Sequence, residues 1–209
     1  MLKIYGFRLS QPTNAVRMVA NALKTPYDYI ELNAPEGEHR APDHVRRHPA
    51  GKMPAIEDGD FTLFESTAIM KYLCKKAGSD MYPQDLEGQA TVDQWSSFVS
   101  VHIFMAFSRI VYNKLLAPQF GLPVDTASAQ AGLEFLDRFL PVVDQQLSKT
   151  KFLAGDRMTI ADINLLATID PVDALNIDLS NYPHLSAWRE ALIPQAFYQD
   201  VHAFFGQAA

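Results

Sequence analysis

The stretch Ser10-Gln11-Pro12-Thr13-Asn14-Ala15-Val16, read with the Leu2-Lys3-Ile4-Tyr5-Gly6-Phe7 that precedes it, decides the architecture. Leu2 to Phe7 has the apolar content of a short buried strand, broken at Gly6 and by Ser10-Gln11-Pro12. From Pro12 onward, Ala15, Val16, Val19, Ala22 and Leu23 recur at helical spacing. Ser10 or Gln11 stands just ahead of that helix, and Pro12 suits its first turn, where no amide hydrogen is needed. Pro26 ends the helix, and Tyr27 to Leu32 is rich in strand formers. Strand, helix, strand in this order predicts two parallel strands with a right-handed crossover.

Beyond the unit lies a loop with Pro35, Gly37 and Pro42, then a short helix near 42–47. Met53 to Glu57 and Phe61 to Phe64 flank Asp58-Gly59-Asp60 as a hairpin. Ser66 is placed to cap a helix in which Ala68, Ile69, Tyr72 and Leu73 share a face. Residues 1–77 therefore read as an α/β domain, ordered β-α-β-α-β-β-α, with one mixed four-stranded sheet. Residues 78–86 are polar and turn-rich and serve as a linker. Residues 87–209 are helical in pattern, with apolar stripes over 87–116 and over 126–147 (Leu133, Leu136, Leu140, Val143). Thr159-Ile160-Ala161-Asp162 has the form of a capping box, with Met158 and Ile163 at the positions of a hydrophobic staple. The expectation is a small α/β domain followed by an all-α domain, with the ligand in the cleft between them.

Apolar residues make up 48% of the 209 and charged residues 20%, which excludes disorder. No apolar run approaches a membrane span, and the opening residues lack the apolar stretch of a secretory signal. The lone Cys74 cannot form an intrachain disulfide, so a reducing cytoplasm is expected. A net charge of −6 argues against a nucleic-acid polymer as partner. The local cluster Arg40, Arg46, Arg47 and Lys52 suits a small anion better.

The turn holds the chemistry. It contains no cysteine, so the protein's own thiol cannot exchange disulfides there. A hydroxyl at a helix N-terminus can still serve a thiol that a ligand brings. Two further fragments follow in order: Gly51-Lys52-Met53-Pro54 and Glu65-Ser66-Thr67-Ala68-Ile69, joined by Asp58-Gly59-Asp60-Phe61-Thr62-Leu63.

On these three fragments and its all-helical second half, the chain resembles the cytosolic glutathione transferase family over essentially its whole length. The turn is similar to that of the serine-type theta class and more loosely to the delta class; Thr13-Asn14 stands where theta-class turns have Cys-Arg. The resemblance implies a thioredoxin-like N-terminal domain, a helical-bundle C-terminal domain, a homodimer, and glutathione as co-substrate without metal or flavin.

A free thiol of pKa about 8.5 is mostly protonated at neutrality, and the thiolate is the nucleophile. Bringing it to about 7 takes about 2 kcal/mol. One hydrogen bond to the charged sulfur supplies roughly 1.5–3 kcal/mol, and a helix N-terminus about 0.3–1 kcal/mol. Ser10 is the candidate donor, with Thr13 and Asn14 as rivals. By resemblance, Met53 before a cis Pro54 offers its backbone to the cysteinyl part. Ser66 receives the γ-glutamyl carboxylate, Glu65 pairs with the ammonium, and Lys52 and His39 reach the glycyl carboxylate. Phe7, Arg8 and Leu9 with His102, Met105, Phe107 and Ile110 would wall the electrophile pocket, closed by Phe204 and Phe205.

His44 and His48 stand four apart near His39, but no carboxylate or cysteine completes a metal site. Cys74 reads as a core residue. A peroxide reducer or dehalogenase on the same fold, or a non-catalytic interaction domain, are the alternatives; retention of candidates for both the sulfur donor and the γ-glutamyl site favours catalysis.

Overall fold

A computed structural model describes residues 1–202. Four strands, β1 (Leu2–Gly6), β2 (Tyr27–Glu31), β3 (Ala55–Asp58) and β4 (Phe61–Phe64), form one sheet in the order β2-β1-β3-β4. β1 and β2 run parallel, Ile4 opposite Tyr29, while β3 runs antiparallel to both β1 and β4. The crossover between the parallel strands is α1 (Gln11–Ala22). Ser10 is its N-cap, in extended conformation, and Pro12 lies in the first turn. The helix stops at Leu23, three residues before Pro26, because the chain closes a Schellman turn there. Lys24 takes the left-handed conformation at φ 55°, with Thr25 N–H bonded to Ala20 O and Lys24 N–H to Asn21 O.

α2 (Pro42–Arg47) and α3 (Ser66–Ala77) complete the first domain. α2 is tied to the sheet by Arg47, which lies over the Tyr5 ring at 4.1 Å and meets Glu57 at 2.5 Å. The expected cap at Ser66 is corrected. Ser66 is already helical, and Glu65 takes the N-cap place at φ 71° without a side-chain cap bond. α3 packs beside α1, with Ile69, Met70, Leu73 and Cys74 buried. Burial pushes the Cys74 thiol up to about 12, so it stays protonated.

The second domain opens with one long helical rod, α4 (Leu86–Phe98), α5 (Phe104–Val111) and α6 (Ala117–Gln119), linked by π turns at Val99–Ile103 and Tyr112–Leu116. α7 (Thr126–Leu147) packs along α5. α8 (Ile160–Ile169) is buried on every side; its apolar residues join the core, and its buried Asp162 and Asn164 are hydrogen-bonded. The Thr159–Asp162 capping box starts it, with Ile163 buried and Met158 packed on the core. α9 (Pro183–Leu192) and α10 (Ala196–Gln199) close the described chain. α1 contacts α8 and α10, so a single core runs through both domains. No helix among the described residues is long and apolar enough to cross a membrane.

Candidate active site

The turn between β1 and α1 is held from inside. Ser10 N–H bonds to Phe7 O at 2.8 Å, and Asn14 Nδ2 bonds to Arg8 O at 2.9 Å. Thr13 is fully buried against Gly6; a Cβ there would come within 2.2 Å of the Thr13 side chain. Packing at Gly6 thus turns Thr13 inward and leaves Ser10 at the mouth.

Ser10 opens onto a cleft of about 500 Å³ between the domains. The first-domain wall brings together Leu9, Ser10, His39, Arg40, Lys52 and Met53. The opposite wall is Phe104, Ser108, Val111, Tyr112 and Leu116 of the long rod. Ser10, His39, Lys52 and Met53 were expected at one site and meet here. Thr13 and Asn14 are buried behind Ser10 and do not line the cleft, and Asn14 has its amide on Arg8 O.

The basic cluster divides. Arg46 pairs with Asp43 and Arg47 with Glu57, leaving Arg40 and Lys52 on the cleft. No Asp or Glu is among the residues that line it. His39 is held below its ordinary pKa, first by partial burial and then by Arg40 and His44. The loop carrying Lys52 approaches the His39 loop closely at Gly51, which sits at φ 59° with His39 O only 3.2 Å from where a Cβ would stand. The Met53–Pro54 peptide is cis. Met53 precedes β3, and among the described residues its backbone N–H and C=O make no hydrogen bond.

Glu65 and Ser66 lie at the start of α3, past the end of β4. The first N–H groups of a helix lack intrahelical partners, and here no side chain caps them. Those donors carry the helix's positive end and suit a carboxylate. Glu65 adopts a sparsely populated backbone conformation for a non-glycine residue, a feature that clusters at ligand sites.

The electrophile wall differs from the expectation. Phe107 and Ile110 are fully buried in the core, and His102 packs between Phe98 (4.9 Å) and Phe139 (4.5 Å). Met105 is half exposed and absent from the lining. Phe7 and Arg8 line a neighbouring cavity of about 320 Å³, with Leu9 shared between the two. Phe104, Ser108, Val111 and Tyr112 recur at helical spacing and form the stripe that faces the cleft, while Phe107 and Ile110 turn into the core. Which stripe meets the first domain is set by how the rod packs, so these four were missed. Phe204 and Phe205 lie outside the described residues.

Among the described residues no group of three or more His, Cys, Asp or Glu is placed to hold a metal. His44 and His48 are both buried, with ring centroids 6.5 Å apart, and His44 Nε2 lies 2.7 Å from Lys52 O.

Comparison with known proteins agrees with this geometry. The family model for the glutathione S-transferase N-terminal domain matches residues 1–75, and that for the C-terminal domain matches 98–196. The chain is similar to the probable glutathione S-transferase GSTF2 of Oryza sativa subsp. japonica, 35% identical over 204 residues, covering 96% of this chain and 95% of that protein. It is 32% identical over 209 residues to human glutathione S-transferase theta-1, covering 96% of this chain and 87% of that one. A glutathione S-transferase I from maize, solved with an atrazine glutathione conjugate, superposes with a TM-score of 0.89. That match has 31% identity and covers 100% of this chain and 99% of the other. A glutathione S-transferase-I structure with lactoylglutathione gives a TM-score of 0.88 at 31% identity, over 96% and 98% of the two chains. Two family models that together span most of the chain, and relatives above 30% identity over nearly its full length, show that the chain belongs to the glutathione S-transferase family.

Proposed function

We propose that the protein is a glutathione transferase of the serine type, in which Ser10 holds the glutathione sulfur as a thiolate. The carrying observation is the cleft's lining: a helix N-terminal hydroxyl beside Arg40 and Lys52, without a carboxylate, in a chain of net charge −6. Such a site favours a ligand with negative charge at both its end and its reacting atom.

Glutathione fits it group by group. Lys52, aided by His39, takes the glycyl carboxylate. Met53 offers an N–H and a C=O to the cysteinyl backbone, like an added strand. The open N–H groups of α3 and the Ser66 hydroxyl take the γ-glutamyl carboxylate, and Glu65 the ammonium. Ser10 then donates to the sulfur. The alcohol is far too weakly acidic to ionise, so no alkoxide is present to serve as base, and the thiol proton leaves to solvent. The thiolate attacks an electrophilic carbon; the carbon–sulfur bond forms as the leaving group departs with its electron pair. Leu9, Phe104, Val111 and Leu116 make the co-substrate side apolar. The reaction asks for no metal or flavin.

A homodimer accords with two exposed apolar groups of side chains: Phe61 and Phe64 on β4, and Val101, Met105 and Phe135 on the helical domain. The test is calorimetric titration with glutathione, absorbance of the bound thiolate near neutrality, and product analysis with aryl chlorides, alkyl halides and hydroperoxides. A conjugate bearing glutathione supports the reading. Absence of glutathione binding, or a bound thiol that stays protonated at pH 7, overturns it. Release of alcohol from a hydroperoxide, with two glutathione thiols oxidised to the disulfide and water formed, assigns a peroxidase instead; release of halide with glutathione regenerated assigns a dehalogenase.

A further inference from the structure

We propose that His44 is a positioning residue that aims the Met53 backbone donor into the cleft, an inference that rests on the glutathione reading above. His44 lies on α2, is 2% exposed, and is not among the residues that line the cleft. Its Nε2 lies 2.7 Å from Lys52 O. A carbonyl only accepts, so Nε2 carries the hydrogen and donates. Nδ1 is buried without a partner, so the ring's one hydrogen bond is spent on that carbonyl.

The bond matters because of peptide planarity. Lys52 C=O and Met53 N–H belong to one rigid trans-type unit in which they point in opposite directions. Pulling the oxygen toward α2 turns the Met53 N–H away from α2, and Met53 lines the cleft. Two further contacts brace the same loop. Gly51 N–H bonds to His48 O at 2.8 Å, and the His48 ring packs on Phe64 at 4.7 Å. His44 and His48 together thus frame the ligand's strand partner. Without the His44 bond the peptide can rotate, and glutathione must bear the cost of ordering it.

The experiment compares wild type, His44→Leu and His44→Gln, whose side-chain amide keeps a donor at a similar reach. Each is measured for glutathione Kd, KM, kcat at saturating glutathione, bound-thiol titration and melting temperature. His44→Leu is expected to raise Kd and KM roughly three- to tenfold, the worth of one net hydrogen bond, with kcat and the thiol titration held. His44→Gln restores affinity. Equal Kd in wild type and His44→Leu overturns the proposal. So does equal weakening in both variants, which would assign the effect to ring volume. A wild type that binds no glutathione sinks the underlying reading instead, and is distinguishable on that count. Should His44→Leu not fold, nitrogen-15 NMR of the wild type decides. The proposal expects an Nε2-bound proton protected from exchange, and more so with glutathione. A ring protonated at Nδ1 alone overturns it.

Discussion

Ser10 Oγ accepts a long hydrogen bond from Thr13 N–H at 3.4 Å, and among the described residues its own hydrogen is donated to nothing. The hydroxyl therefore caps α1 and keeps a donor in reserve. At that length the cap bond is weak, so the oxygen can turn toward a sulfur without much loss. Capping and thiolate binding are compatible roles of one group.

Ser10→Ala should raise the bound thiol's pKa and lower kcat/KM roughly 10- to 100-fold, the worth of one hydrogen bond to a charged atom. Glutathione affinity should stay within a few-fold, because the other contacts persist. Thr13→Val should leave the thiol titration where it is. Stopped-flow kinetics and thiolate absorbance of both variants check the pair. A reversed outcome moves the sulfur donor to Thr13.

Glu65→Gln should weaken glutathione roughly tenfold by removing one charge from the ammonium contact. The same variant should bind glutathione lacking the amino group as well as wild type does. Titration of both ligands against both proteins separates loss of that contact from general damage at the strained backbone of residue 65.

His39 has a lowered pKa in the free protein, through burial and then Arg40 and His44. A carboxylate arriving beside it raises that pKa, so binding takes up a proton. By linkage the added affinity is fully present below the free-state pKa and fades as pH rises through the bound-state value. The bound thiol's lowered pKa favours binding as pH rises, so the His39 contribution is read as a difference: the affinity advantage of wild type over His39→Asn should grow from pH 8 to pH 5.5. Calorimetry in two buffers of different ionisation enthalpy counts the proton directly.

Asp162 is buried and accepts from Leu153 N–H (2.9 Å), Thr159 N–H (2.8 Å) and Thr159 Oγ1 (3.0 Å). Asp162→Asn turns an acceptor into a donor against those groups. The expected loss is about 2 to 3 kcal/mol of stability, seen as a lower denaturation midpoint. A midpoint unchanged from wild type would show that the capping box does not anchor α8.

Much of the first domain was readable before any coordinates. Its strands, α2 and the hairpin carry strong local signals: β-rich runs, Pro at helix starts, and Gly59 in the turn. The capping box at Thr159 was equally local. Ser10, Lys52 and Met53 were readable because each lies in a short contiguous motif. The start of α3 was misread by one residue, since a serine looks like a cap whether it stands at the cap or just inside. The second wall of the cleft was not readable at all. Its identity depends on how far the long rod has rotated when it reaches the first domain.

The sequence by itself determined the two-part architecture, the hydroxyl at the opening helix and the anion-friendly loop, because these follow from local pattern and residue chemistry. Tertiary structure alone decided that Thr13 turns inward against Gly6, that Arg40 and Lys52 are the cations left for a ligand, and that His44 holds Lys52 O. Each of those depends on side-chain contacts made across a turn, Gly6 with Thr13, Arg47 with Glu57 and His44 with Lys52 O, and residue order alone does not say which side chain meets which.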